Sequence, residues 1–135
     1  MGKTVDWVQQ AGVDPGTVYF EVRDRSALRV SPAWWEVLQQ YSQAGFGLCL
    51  DDYGSDASLF GTLAFHGFRQ AKVTVDENAL SLTRASQARK DFEFCAKGLQ
   101  TKFDKKALAK AGFQSAQGYA VCRPIDAADV DETLS

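Results

Sequence analysis

Gly47-Leu48-Cys49-Leu50-Asp51-Asp52-Tyr53-Gly54-Ser55-Asp56 decides how this chain is read. A short apolar run ends abruptly in two adjacent acids, and a glycine turn follows. The run has the length and bounding residues of a buried strand. Adjacent carboxylates at the end of such a strand are costly unless something positive neutralises them. A divalent metal, a lysine, or a proton shared between the acids would each serve.

Upstream of this stretch, Val18 to Val22 is a β-rich run after a turn at Asp14-Pro15-Gly16. Ser31-Pro32 opens a helix, with serine as N-cap and proline at the first helical position. Trp34, Val37, Leu38 and Tyr41 share a face at helical spacing, and Gly45 suits the stop. The strand Phe46 to Leu50 then delivers the acids. Downstream, Asp56 caps a helix carrying Leu59, Phe60 and Leu63. Ala71 to Val75 is a third strand, and a polar helix covers part of 78–90. Phe92 to Ala96 is a fourth strand. Asp104 caps a helix over Lys105 to Ala111, stapled by Phe103 and Leu108 and stopped at Gly112. Ser115 to Val121 reads as a fifth strand, and a short helix follows Pro124.

Alternating strands and helices predict an α/β fold with about five mainly parallel strands and outer helices. Function in such sheets gathers at the C-terminal ends of the strands. Glu21, Asp51, Asp52, Lys72 and Lys97 all lie in or just beyond those ends. A receiver-like phosphoacceptor domain would also carry an acid pair, but after its first strand rather than its second.

The 135 residues suit one domain, 1–135, with room for a core and no repeat or linker. Net charge is −2 with both signs mixed along the chain, which argues against nucleic acid as a partner. No apolar run approaches the ~20 residues that span a bilayer, and no signal pattern opens the chain. The expected location is the cytoplasm, where Cys49, Cys95 and Cys122 would be free thiols.

Five segments in order resemble the C-terminal part of the EAL domain, the bacterial cyclic-di-GMP phosphodiesterase. Phe20-Glu21-Val22-Arg23-Asp24 is similar to the family's F-E-[IV]-T-E strand, and Leu50-Asp51-Asp52-Tyr53-Gly54-Ser55 to L-D-D-F-G-T. Ala71-Lys72-Val73 falls on L-K-I-D, and Ala96-Lys97-Gly98-Leu99-Gln100-Thr101 on A-E-G-V-E-T. Ala116-Gln117-Gly118-Tyr119, with Pro124 after it, matches A-Q-G-Y and its following proline. The resemblance implies a TIM-barrel-like fold, here partial or rearranged. It implies Glu21, Asp51 and Asp52 as metal positions, Lys72 and Gln117 as further site positions, and Asp52, Ser55 and Gln117 as ligand contacts.

The departures carry equal weight. The Glu-Ala-Leu signature and the asparagine ligand of the family's N-terminal half have no counterpart among these residues. Lys97 and Gln100 stand where the family has glutamates, Thr74 where it has an aspartate, and Arg23 where it has a threonine. Two-metal hydrolysis needs enough carboxylate to hold both ions and activate a water. Three acids beside an ammonium are a poor match to that need. The site therefore reads as vestigial, with Lys97 as counter-charge to Glu21 and the Asp51-Asp52 pair. Glu21 could equally bridge to Lys72.

The expectation is a catalytically inactive EAL-like regulatory or protein-interaction module without a cofactor. Two alternatives stay open: a cyclic-di-GMP receptor that does not hydrolyse, and a residual phosphodiesterase using magnesium or manganese. Five strands cannot close an eight-stranded barrel. An open rearranged sheet, a homodimer, or another signalling protein as cover would each answer that.

Overall fold

A computed structural model of the chain describes residues 2–23, 32–53, 67–75, 92–100 and 103–130. Helix α1 (Gly2–Gln10) precedes strand β1 (Tyr19–Val22). Helix α2 (Pro32–Gln43) leads to β2 (Gly47–Leu50), and β3 (Phe68–Thr74) and β4 (Glu93–Lys97) follow. Helix α3 (Lys105–Ala111) then leads to the two-residue β5 (Ser115–Ala116). The helices expected from Asp56 and within 78–90 lie outside the described residues.

The five strands form one sheet ordered β1-β2-β3-β4-β5, and every neighbouring pair is parallel. Parallel neighbours require crossover connections rather than tight turns. Sequential order means the chain winds in one direction, as in a (β/α) barrel, without the reversal of a doubly wound sheet. The α/β class and the parallel pairing agree with the sequence reading.

One face of the sheet is apolar. Leu48, Leu50, Ala71, Val73, Phe94 and Ala96 form a buried cluster with Leu38 of α2 and Leu108 and Ala111 of α3. Burying a leucine fully contributes about 2 kcal/mol, and Leu48 and Leu50 have no exposure at all. All four residues of β2 are buried, as befits a central parallel strand. Phe20 packs 4.2 Å from Tyr41 and 5.2 Å from Phe46 between ring centroids, closing the β1 end of the core.

Helix α3 forms where its caps dictate. The Asp104 carboxylate accepts from the amides of Lys106 and Ala107, and Gly112 closes the helix at φ 97°, a conformation that costs glycine little. Two sequence readings need correction. The buried stripe of α2 is Leu38 with Trp35 and Tyr41 beside it, while Trp34 and Val37 face outward. The fifth strand ends at Ala116 rather than Val121. Gly118 there adopts φ 150°, and a Cβ on it would collide with the Leu99 backbone. Helix α1, which the sequence reading did not assign, carries no buried residue.

Candidate functional site

Side chains alternate along a strand. Glu21, Cys49, Lys72, Cys95 and Lys97 therefore occupy the face opposite the apolar cluster. Register sets Glu21 against Cys49, Lys72 against Cys95, and Thr74 against Lys97. Parallel strands all end on one side of the sheet, so the charged residues collect there with the turn that follows β2.

That turn is anchored on both flanks. The Asp51 amide donates to the Val22 carbonyl of β1 at 3.0 Å, and the Tyr53 amide donates to the Lys72 carbonyl of β3 at 3.0 Å. Between them Asp52 adopts φ 51°, left-handed backbone that aspartate tolerates better than most residues. The buried Tyr53 ring lies 5.9 Å from the Phe94 ring, which fixes the turn to the core.

Asp51 is the one buried charged residue among those described, at 5% exposure. Its Oδ1 accepts a hydrogen bond from Lys97 Nζ at 2.6 Å, and the same ammonium pairs with Asp52 Oδ1. Lys72 Nζ donates to Glu21 Oε2 at 2.5 Å. Arg23 Nε donates to Glu21 Oε1 at 3.3 Å and lies 3.7 Å from Asp51 Oδ2, joining the two groups. Each lysine passes over one intervening strand. Lys72 of β3 crosses β2 to reach β1, and Lys97 of β4 crosses β3 to reach the end of β2. Strands lie ~4.8 Å apart, so each crossing covers about 10 Å of sheet. A four-carbon stem and an acid side chain together span that gap.

The electrostatics follow from burial and pairing. Burial pushes the Asp51 carboxyl up, but the Lys97 hydrogen bond, the Asp52 amide and the charges of Lys97 and Lys72 outweigh it, leaving it below its usual value of 3.8. Burial pulls the Lys97 ammonium down, and Asp51 and Asp52 more than reverse that. Lys72 is likewise raised, burial being outweighed by Glu21. Burial drives the Cys49 thiol up to about 12, so at neutral pH it is a thiol and a poor nucleophile. Cys122, by contrast, is exposed, because β5 ends before it.

The structure thus brings Asp51, Asp52 and Lys97 into direct contact and sets Glu21, Lys72 and Arg23 beside them. Glu21 takes Lys72, not Lys97. Gln117 belongs to the neighbouring β4–β5 junction. Its amide donates to the Ala96 carbonyl at 2.8 Å, and its carbonyl accepts from the Leu99 amide at 3.5 Å. Gln100 is exposed beyond β4, and Ser55 lies outside the described residues. Two contributors hold roles that the sequence reading did not give them. Tyr53 holds the turn through its ring. Arg23 bridges the acids, which its position two residues past Glu21 on the same face could have signalled.

A parallel, singly wound α/β sheet with ionisable groups at its C-terminal strand ends is the layout of a TIM-barrel-type fold. The EAL domain model matches residues 2–124, and the chain belongs to the EAL domain family. MucR of Pseudomonas aeruginosa, a bifunctional diguanylate cyclase/cyclic di-GMP phosphodiesterase, is 25% identical over 138 residues, covering 91% of this chain and 20% of MucR. The solved MucR phosphodiesterase in complex with c-di-GMP has a TM-score of 0.76 at 23% identity, covering 93% of this chain and 60% of that one. The EAL domain of Mycobacterium smegmatis DcpA gives 0.78 at 19% identity, covering 98% and 65%. The Klebsiella pneumoniae BlrP1 complex with manganese and cyclic di-GMP gives 0.71 at 24% identity, covering 88% and 33%. The chain therefore spans a fifth of MucR and three fifths of its solved phosphodiesterase. Among the described residues, no helix is long and apolar enough to cross a membrane.

BlrP1 is solved with manganese, but the residues described here do not fit a divalent ion. Asp51 and Asp52 share the Lys97 ammonium, and Glu21 is engaged by Lys72 and Arg23. At ~4 Å and an effective dielectric of ~20, a dication would meet about 8 kcal/mol of repulsion from that ammonium.

Proposed function

We propose that residues 1–135 act as a single degenerate EAL-like domain, catalytically inactive, in bacterial cyclic-di-GMP-type signalling. The observation that supports this reading is the Lys97 ammonium on both Asp51 and Asp52. Metal-assisted phosphodiester hydrolysis needs carboxylates free to bind ions and set a water. Here the acids are already neutralised from within the chain. Glu21, Asp51 and Asp52 are then vestigial metal positions, and Lys72 and Gln117 survive as structural parts of the strand ends. The role that remains is regulatory, exercised through contacts with a second copy or another signalling protein.

A hydrolysis assay on cyclic di-GMP, with magnesium and with manganese, tests this. The expected result is no linear dinucleotide above the protein-free control. Turnover in either metal overturns it and favours a residual phosphodiesterase.

A cyclic-di-GMP receptor is the second reading. The MucR and BlrP1 structures both hold this dinucleotide, and Asp52 and Gln117 are exposed at the strand ends of this chain. Calorimetric titration separates the two. Heat and a thermal shift at high micromolar dinucleotide favour the receptor, and their absence favours the interaction module.

A further inference from the structure

The turn after β2 poses a specific problem. It holds a buried carboxylate, Asp51, next to a second one in left-handed backbone, Asp52. Two adjacent anions at a strand end would repel each other and splay the turn. What holds them is one cation, Lys97 Nζ, within hydrogen-bond reach of Asp51 Oδ1 and paired with Asp52 Oδ1. That cation is delivered from β4, over β3, by a side chain that is itself 22% exposed. The remaining positive groups contribute less. Lys72 is spent on Glu21, and Arg23 lies at 3.7 Å from Asp51 with a side chain 82% exposed.

We infer that Lys97 is a built-in counter-cation that occupies the place of a divalent ion on Asp51 and Asp52, latches the β2 turn to β4, and bars metal from the site. This rests on the inactive reading and adds a residue-level cause to it. A corollary follows. With Lys97 neutralised or reversed, Asp51 and Asp52 are left without their main cation. A hard divalent ion with oxygen preference then becomes the best available replacement. Lys97→Glu adds a third oxygen donor, whereas Lys97→Gln only withdraws the charge.

The experiment compares the wild-type chain with Lys97→Gln and Lys97→Glu. Manganese binding is read by loss of the free-ion electron paramagnetic resonance signal. Thermal midpoints are recorded with chelator and with excess manganese. The wild type is expected to bind no manganese and to melt at the same temperature in both conditions. Lys97→Glu is expected to bind at least about tenfold more tightly than wild type, from the change of local charge alone. It should also gain several degrees when manganese replaces chelator, with Lys97→Gln in between. A variant too unstable to fold in chelator that folds on adding manganese counts for the inference, and one that manganese does not recover counts against it. Wild-type binding equal to that of Lys97→Glu overturns it, as does a folded Lys97→Glu that binds nothing. Wild-type manganese binding without hydrolysis would remove this inference alone, whereas wild-type hydrolysis would remove the inactive reading itself.

Discussion

Two ion-pair groups sit side by side on the same face, built on the same plan yet differently placed. In each, a lysine reaches over one strand to an acid two strands away. Lys72 meets Glu21, whose side chain keeps 29% of its exposure, whereas Lys97 meets Asp51, whose side chain keeps 8%. Water already solvates much of Glu21, so its lysine adds little. Asp51 has given up most of its water and depends on Lys97. Equal geometry therefore does not imply equal energy; the cost of leaving the acid unpaired sets the difference.

The largest effect should come from Lys97→Met. It strands a buried carboxylate and is expected to cost about 2–3 kcal/mol, the usual range for breaking a buried pair reduced for partial exposure. Urea unfolding monitored by circular dichroism measures it. Acid sharpens the same contrast. The Asp51 carboxyl sits below 3.8 in the folded chain, so the unfolded chain takes up its proton first as pH falls. Its contribution is complete above about pH 5 and declines as pH falls below that. Lys97→Met should shrink that acid limb in stability-versus-pH curves, because only the Asp52 amide and the Lys72 charge then oppose the burial of Asp51. The smallest effect should be that of Lys72→Met, about 0.5–1 kcal/mol in the same urea assay. A Lys72→Met cost equal to that of Lys97→Met would erase the distinction between the two groups.

Local signals made parts of this fold legible in the sequence. Asp104 and Gly112 bracket α3 because capping is decided within a few residues. The acid pair marked the end of β2 because two carboxylates cannot continue a buried strand. What escaped depends on tertiary placement. The inward edge of α2 is Trp35 rather than Trp34, a choice made by where the sheet lies and not by spacing alone. β5 stops short because Gly118 must pass close to Leu99, a contact between residues far apart in the chain. Glu21 and the two lysines were visible as candidates. Which lysine takes which acid follows from strand register, and single residues do not encode that. The sequence reading left Glu21 open between Lys97 and Lys72; the structure pairs it with Lys72.

The strand-skipping reach of Lys97 bears on how the chain folds. Its bond to Asp51 joins residues 46 apart and forms only when β2, β3 and β4 are all aligned. A one-residue slip of β4 would turn Lys97 to the opposite face and leave the buried Asp51 without its cation. The ammonium thus acts as a proofreader of strand alignment, rewarding the correct register after the sheet has assembled. Interactions completed that late govern escape from the native state more than arrival at it. Loss of Lys97 should accordingly hasten unfolding while leaving the refolding rate nearly unchanged.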